Sequence, residues 1–290
     1  MDTCAILVLY NPAWELLSEV LNGIRVQCSY LLVIDNSDQD HQHRLSSMME
    51  DAGIPYEYVA LLQNKGIAAA QNIGINMARR LSADFVVFFD QDSVPAPKMV
   101  QYLLEAHRTI TVGGIQVGGL GPRSVSRETG KKYEAKFDKG NILAGQDYTV
   151  IRQLISSGSM VSLKTFDRVG LFLEEMFIDL VDFEWCWRAN KIGYRHFIIE
   201  QALMQHMFGA SEKRVMGFRI SVPSAFRIYF QFRNYLWLVT KEYVPVYWKV
   251  SAGIKLVIKF VLLPLVGAQP LAYFKRSIKG IADGLFKRRI

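Results

Sequence analysis

The chain is poor in cysteine: among 290 residues, Cys4, Cys28 and Cys186 are the three thiols, and each is isolated in the sequence. That excludes a disulfide framework and any C-x-x-C or Cys/His zinc spacing. It fits a reducing compartment in which all three are small buried apolar residues. A membrane-spanning run is lacking too. The uncharged stretch from Phe260 to Phe274 is 15 residues long and is broken by Pro264 and Pro270, short of the roughly 20 apolar residues a spanning helix needs. The N-terminus has no basic patch and no cleavage site of small residues, since Asp2 comes at once and "CAILVLY" is short. A first strand is predicted there, not a secretory leader. No G-x-G-x-x-G and no lysine-bearing phosphate loop follows that strand, which counts against a nucleotidyltransferase.

Basic charge is scarce where a nucleic-acid reader would need it. The formal net charge is +7, but ten of the 34 Lys/Arg and two of the 27 Asp/Glu fall in residues 241–290. The first 240 residues therefore hold 24 basic against 25 acidic side chains. The body is near neutral and the tail is basic, so no nucleic-acid partner is expected.

What is present is an alternation of short apolar runs with helical periods, the pattern of a parallel sheet covered by helices. "AILVLY" (5–10) and "YLLVID" (30–35) read as strands, and between them Trp14, Leu17, Leu21 and Ile24 share one helical face. "IPYEYVALL" is a third strand. "GIAAAQNIGINMARRL" is a helix with Ile67, Ala70, Gly74, Met77 and Leu81 on one side, and "DFVVFFD" is a fourth strand, apolar from Phe85 to Phe89 and so a central one. Parallel sheets bind ligands beyond the carboxyl ends of their strands, and three of these strands end there in "YNP", "IDNS" and "DQDS".

The last of these holds two acids. Side chains two apart in an extended chain point the same way, so Asp90 and Asp92 can face one point while Gln91 faces away. Paired carboxylates at a crevice rim suit Mg²⁺ or Mn²⁺ together with substrate phosphates. The competing account is that Asp92 caps the turn "DSVPAP".

The chain resembles the inverting glycosyltransferases of family 2, and within them the rhamnosyltransferases that build bacterial surface polysaccharides. The likeness covers roughly residues 4–240. It is carried by "LYNP", "IDNS", "NKGIAAAQNIGI", "FFDQDS", "SSGSMVS" (156–162), "FIDLVDFEWCWRANKIGYR" (177–195), "QHMFG" (205–209) and "RIYFQFRNYLWL" (227–238), in that order. The resemblance implies an α/β fold of the GT-A type, a Rossmann-like, mostly parallel sheet flanked by helices. It also implies a divalent metal, Mg²⁺ or Mn²⁺, held by Asp92, Asp90 and His206. The donor, a nucleotide sugar and by the subfamily dTDP-L-rhamnose, would be lined by Tyr10, Asn11, Asp35, Asn64, Gly66, Asp90, Gln91, Ser157, Gly158 and Arg233. Asp35 would meet the base and Arg233 the diphosphate, unless Arg233 is a surface helix charge. The acceptor implied is a lipid-linked, polyprenyl diphosphate glycan of O-antigen synthesis.

Asp182 matches the family's catalytic base. It opens a predicted helix with Phe183 and Trp187 on one face and Gly193 at its end, and a helix cap is the competing use. Asp179 is a reserve base, because Val181 precedes Asp182 where the family often has an acid. Glu184 sits four before Arg188, which reads as a surface ion pair. His206 is predicted to follow an edge strand, "YRHFIIEQALMQH"; His41, His43, His107 and His196 receive no role.

Two domains are expected: a catalytic body, 1–240, and a basic helical tail, 241–290. In the tail Ser251, Lys255 and Lys259 recur every fourth residue as a polar stripe on an apolar helix, with Tyr247, Trp248 and "FKRRI" as anchors. Such a segment suits an anionic membrane surface, here the cytoplasmic face of the inner membrane. A helix docked on the core, or a dimer contact, is the alternative. The functional classes open at this point are a metal-dependent transferase and a non-catalytic membrane-associated module.

Overall fold

Every residue of the first strand, β1 (Thr3–Leu9), is buried. A run with no polar face can only lie inside a sheet covered on both sides. The computed structural model describes residues 1–50, 53–127, 129–132, 141–142, 147–206, 212–215, 218–267 and 269–287, and it places β1 there. β2 (Tyr30–Asp35) and, beyond it, β3 (Tyr56–Ala60) lie on one side and β4 (Phe85–Asp90) on the other, all parallel. Alternate residues of β1 feed two cores: Ala5, Leu7 and Leu9 pack under helix α1 (Trp14–Arg25), and Cys4, Ile6 and Val8 under α3 (Ile67–Arg80). The short α2 (Gln42–Met49) adds Leu45 and Met49 to the first core.

The second half widens the sheet. In chain order come β5 (Ser93–Pro95), α4 (Met99–Val112), β6 (Val117–Ser126), β7 (Asn141–Ile142), β8 (Tyr148–Ile151), β9 (Met160–Ser162), α5 (Leu163–Val169), a 3₁₀ turn (Glu174–Met176), α6 (Val181–Lys191) and β10 (Arg195–His206). β9 is antiparallel between β4 and β6, β10 runs parallel to β6, and β8 and then β7 close that side. β10 is thus not the edge strand expected. β6 pairs with it at residues 195–199 and 203–206, on either side of an irregularity, while β8 pairs with residues 196–199 and β5 with residues 204–206 on its other side. Its one charged interior residue, Glu200, is absorbed by Arg123 of β6 and the Thr149 hydroxyl of β8 (3.0 Å).

Beyond a small hairpin of β11 (Glu212–Val215) and β12 (Phe218–Ser221), three helices end the chain: α7 (Ala225–Leu238), α8 (Val246–Val266) and α9 (Pro270–Phe286). α9 lies along α7 at close range because Gly280 and Gly284 present no side chain to it. The Tyr229 hydroxyl donates to Asp283 (2.7 Å) and the Tyr273 hydroxyl to the Pro223 carbonyl (2.8 Å).

The polar stripe of α8 is largely turned inward. Ser251 and Lys259 are half-buried, and Lys259 donates to Gln231 of α7 (2.8 Å). The exposed face carries Val246, Val250, Ile254, Val257, Ile258, Val261 and Leu265 instead. No helix among the described residues is long and apolar enough to cross a membrane.

A Cβ at Gly280 would stand 2.5 Å from the Tyr229 carbonyl oxygen. Alanine is otherwise the better helix residue, by about 1 kcal/mol, so the sign of the substitution reports the contact. Gly280→Ala is expected to lower stability by about 1–3 kcal/mol and to speed proteolysis of α9, read by thermal melting and limited trypsin digestion.

Candidate active site

The carboxyl ends of β1, β2 and β4 are joined into one rim. Asn36 donates its backbone N–H to the Leu9 carbonyl (2.8 Å), and Asn11 donates to Ser37 Oγ (2.8 Å). The Asn36 side chain then spans to the next loop, donating to Asn64 Oδ1 (3.0 Å) and accepting from Lys65 N (2.7 Å), while Gly66 N donates to Asn64 Oδ1 (3.0 Å). Gln91 clasps the end of β1, accepting from Tyr10 N (2.8 Å) and donating to Tyr10 O (3.0 Å). Tyr10, Asn11, Asn64, Gly66 and Gln91 are therefore brought together. The chain turns at Gln91 and does not stay extended, so Gln91 reaches sideways to β1.

Two candidates on this rim hold the protein's own groups. Gly66, at φ +86°, starts α3, and a Cβ there would stand 2.6 Å from the Phe177 carbonyl oxygen, which accepts from Ile67 N (2.8 Å). The close approach that needs glycine at this point is that of the 174–180 segment. Asp35 is fully buried; one oxygen accepts from Ser37 N (3.0 Å), and the other meets the Tyr58 hydroxyl (2.8 Å) and His41 Nδ1 (2.7 Å). Burial pushes its pKa upward, but the hydrogen bonds from Ser37, Tyr58 and His41 outweigh that and hold it below the usual carboxylate range.

Asp90 and Asp182 are gathered by the loop Ser156–Ser159. Gly158 N donates to the Phe88 carbonyl (2.7 Å) and Phe88 N to the Ser159 carbonyl (3.0 Å), so the loop is sewn onto the end of β4. Gly158, at φ +75°, fits with Pro122 and Met204 packed where a Cβ would be. Ser157 Oγ is buried beside the Asp90 carboxylate without closing a hydrogen bond among the described residues. One residue earlier, Ser156 N donates to Asp182 Oδ2 (3.1 Å), and Phe183 N donates to Asp182 Oδ1 (2.9 Å). Asp90 and Asp182 thus stand on two sides of one four-residue loop. Burial, with the charge of Asp92, pushes the Asp90 carboxyl up to about 6. Burial, only partly offset by its backbone donors and reinforced by the charge of Asp90, pushes Asp182 up to about 6 as well. Asp92 is exposed at the mouth.

His206 ends β10, and its register opposite Ser93 brings that end of the strand beside the "DQDS" turn. The His206 side chain and residues 207–209 of "QHMFG" lie outside the described part. No group of three or more His, Cys, Asp or Glu able to hold a metal occurs among the described residues.

Arg233 is not at the rim, and it is not a surface charge either. It is 9% exposed, donates to the Glu175 (2.6 Å) and Met176 (3.1 Å) carbonyls, and stacks on Trp237 and Phe230. Aromatic residues on its own helix and a loop with free carbonyls outcompete water for its guanidinium. Glu184, expected on the surface, is also fully buried, gripped by both faces of the Arg188 fork (2.9 and 3.0 Å) and by the Tyr243 hydroxyl (2.8 Å). Asp179 is paired with Arg227. Sequence reasoning passed over Asn36, His41 and Tyr58, since asparagine and tyrosine carry no motif of their own and their partners are remote in sequence.

In sequence, the glycosyl transferase family 2 profile matches residues 4–169. The dTDP-rhamnosyl transferase RfbF of Shigella flexneri is 30% identical over 97% of this chain and 94% of its own length. In structure, the chain overlays a crystal structure of GalNAc-T7 with UDP, GalNAc and Mn²⁺ at TM-score 0.62 and 13% identity, over 99% of this chain and 56% of that one. It overlays S. aureus TarS 1–349 in complex with UDP-GlcNAc at TM-score 0.59 and 13% identity, over 98% and 81%. The sheet and flanking helices are those of the GT-A fold. The chain spans about half the length of the longer solved structures it overlays, 56% of GalNAc-T7 and 49% of a longer TarS chain.

Were Asp182 the base, its raised pKa would fix a pH dependence. Only the ionised form accepts a proton, so with its pKa at about 6 the rate is expected to fall about tenfold per unit below that pH and to level above it. Stability runs the other way. The folded pKa lies above the ordinary 3.8, so this group's contribution is full below about pH 4 and is lost as pH rises through 6. Asp182→Asn should abolish the rate and remove that part of the stability slope, measured by initial rates and melting curves from pH 4 to 8.

Proposed function

Because the chain belongs to glycosyl transferase family 2, we propose that it transfers L-rhamnose from dTDP-L-rhamnose, with inversion, to a lipid-linked polyprenyl diphosphate glycan. The product would be a cell-surface polysaccharide of the O-antigen kind. The observation that carries the donor is the 30% identity, along almost the whole chain, to a relative whose name gives dTDP-rhamnosyl transfer. The observation that carries the chemistry is the pair of half-buried carboxylates with raised pKa, Asp90 and Asp182, set on two sides of the Ser156–Ser159 loop.

In this reading the donor lies on the rim formed by Tyr10, Asn11, Asn64, Gly66, Gln91, Ser157 and Gly158, with Asp35 supporting the base pocket from below. Asp92 and Asp90, with His206, would hold Mg²⁺ or Mn²⁺. The fit rests on one half-buried and one exposed carboxylate and on the Ser157 hydroxyl beside Asp90, a set that suits a cation completed by substrate phosphates. When bound, that cation neutralises the departing diphosphate. Asp182 takes the proton of the acceptor hydroxyl: the N–H donors of Ser156 and Phe183 fix its orientation and leave lone pairs free on both oxygens.

Purified protein should turn over dTDP-L-rhamnose faster than UDP-glucose or GDP-mannose, with Mg²⁺ or Mn²⁺ required. Asp92→Asn should lose this metal-dependent turnover, by several kcal/mol of leaving-group stabilisation, and keep its melting temperature. Equal turnover of all three donors would remove the rhamnosyl label. No turnover of any would favour a non-catalytic binding module.

The tail supports a peripheral site at the cytoplasmic face of the inner membrane. Seven apolar side chains of α8, from Val246 (73% exposed) to Leu265 (74%), face outward, and Leu271, Phe274, Ile278 and Phe286 of α9 are exposed as well. Lys255, Lys275, Arg276, Lys279 and Lys287 are exposed among them, a combination suited to anionic lipid. The protein should float with phosphatidylglycerol vesicles and not with phosphatidylcholine ones. Adding Val250→Asp and Val257→Asp together should release it, and a double variant that still floats would refute the assigned face.

A further inference from the structure

The segment between the 3₁₀ turn and α6 is backbone-strained. Phe177, Asp179 and Leu180 have φ of 63°, 64° and 69°, a left-handed conformation that side chains disfavour, and Asp182 follows two residues later. None of the three is a glycine, so the surroundings must impose the shape. They do so from one place on α7. Asn234, fully buried, points its amide nitrogen at three carbonyls of the segment, Met176 (3.0 Å), Ile178 (2.9 Å) and Asp179 (3.0 Å), its two N–H groups shared among them. Arg233 donates to the carbonyls of Glu175 and Met176 and also to Asn234 Oδ1 (2.9 and 3.1 Å), which fixes which way the amide points. Arg227 pairs with Asp179.

The pinned segment touches both halves of the candidate site. Upstream, the Phe177 carbonyl accepts from Ile67 N, beside Gly66 of the donor rim, and the Phe177 ring stacks on Phe230 of α7 (4.7 Å, 8°). Downstream, Leu180 is the N-cap residue of α6 and offers no side-chain cap, its carbonyl accepting from Glu184 N (2.9 Å). The start of α6, and with it the Asp182 carboxylate, is therefore placed by the backbone of 177–180.

We infer that Arg233 and Asn234 are positioning residues: together they hold residues 175–180 in the strained shape that sets Asp182 against the Ser156–Ser159 loop. This rests on the reading of Asp182 as the base. With the amide gone, the Ile178 and Asp179 carbonyls lose this donor while Met176 keeps Arg233, and the segment relaxes toward ordinary φ, which shifts the first turn of α6. The donor rim is less affected, because the Asn36–Asn64–Gly66 bonds hold it independently.

The test uses the full chain with Asn234→Ala, Asn234→Asp and Arg233→Lys. Hydrogen exchange of the 174–184 peptide should quicken about tenfold or more in Asn234→Ala while the strands of the sheet keep their protection. Under saturating donor and acceptor, kcat should fall on the order of 10²-fold, the cost of a misplaced catalytic group. The donor Kd should change by less than about threefold, so the loss sits in kcat and not in KM. Asn234→Asp, which sets carboxylate oxygens against the carbonyls, should be at least as impaired. Arg233→Lys, which keeps the charge and loses the fork, should show the same local exchange in milder form.

Quickened exchange with an unchanged kcat would overturn the positioning role, and so would a kcat loss matched by an equal loss of donor affinity. Unchanged exchange in every variant would overturn the pin itself. If Asn234→Ala does not fold, Arg233→Lys decides by the same two readouts. If the wild-type protein transfers from no donor, the reading of Asp182 fails separately, and local exchange in the variants still decides whether the pair holds the segment.

Discussion

Two carboxylates half-withdrawn from water on either side of one short loop are the constraint on which the other features depend. Asp90 ends a strand buried on both faces, and Asp182 opens a helix whose next turn is packed into the core. Neither place is comfortable for a charge, and both acids are pushed up to about 6. The Ser156–Ser159 loop makes the arrangement possible by continuing the hydrogen bonding of β4 as far as Phe88 and offering Asp182 a backbone donor. A fold retains such a cost where a cation, a phosphate or a proton is to be handled.

Around that pair the molecule is arranged as successive supports. The parallel half of the sheet supplies the rim, tied across β1, β2 and β4 by Asn36, Ser37 and Gln91. The antiparallel half supplies β9 and β10, which bring the loop and the end of β10 to the same rim. α7 pins the segment that presents Asp182, and α9 braces α7 through two glycines. The tail is therefore continuous with the site through packed side chains, even though its outward face is apolar and points away from the core.

Much of this was legible in the sequence, and the reasons differ by element. "YLLVID" coincides with β2 and "FVVFFD" with β4, because a strand buried on both sides must be apolar throughout and its polar end marks the rim. Asp90 and Asp92 could be singled out because paired carboxylates beyond a buried strand suit a cation, whereas Asp182 could be singled out by its match to the base position of the family the chain resembles. What could not be read was who partners whom. β10 looked like an edge because Arg123 and Thr149, which absorb Glu200, are 77 and 51 residues away. Arg233 looked like a phosphate ligand because its partners are main-chain carbonyls, which leave no trace in the pattern of side chains. The same holds for Glu184, buried through Arg188 and a tyrosine from the tail, and for α8, whose apolar period is clear but whose facing is decided by Gln231 and Tyr235 on α7.

The account stands on Asp90 and Asp182 being desolvated neighbours and on a cation answering to Asp90. Carboxyl titration by carbon-detected NMR, followed without and with Mg²⁺ and a thymidine diphosphate, reads both at once. The account predicts that without metal both carboxyls titrate near 6, and that Mg²⁺ with nucleotide draws Asp90 below the ordinary 3.8 while Asp182 stays well above it. Both groups titrating near 4 in the free protein, or an Asp90 that ignores the metal, would contradict it.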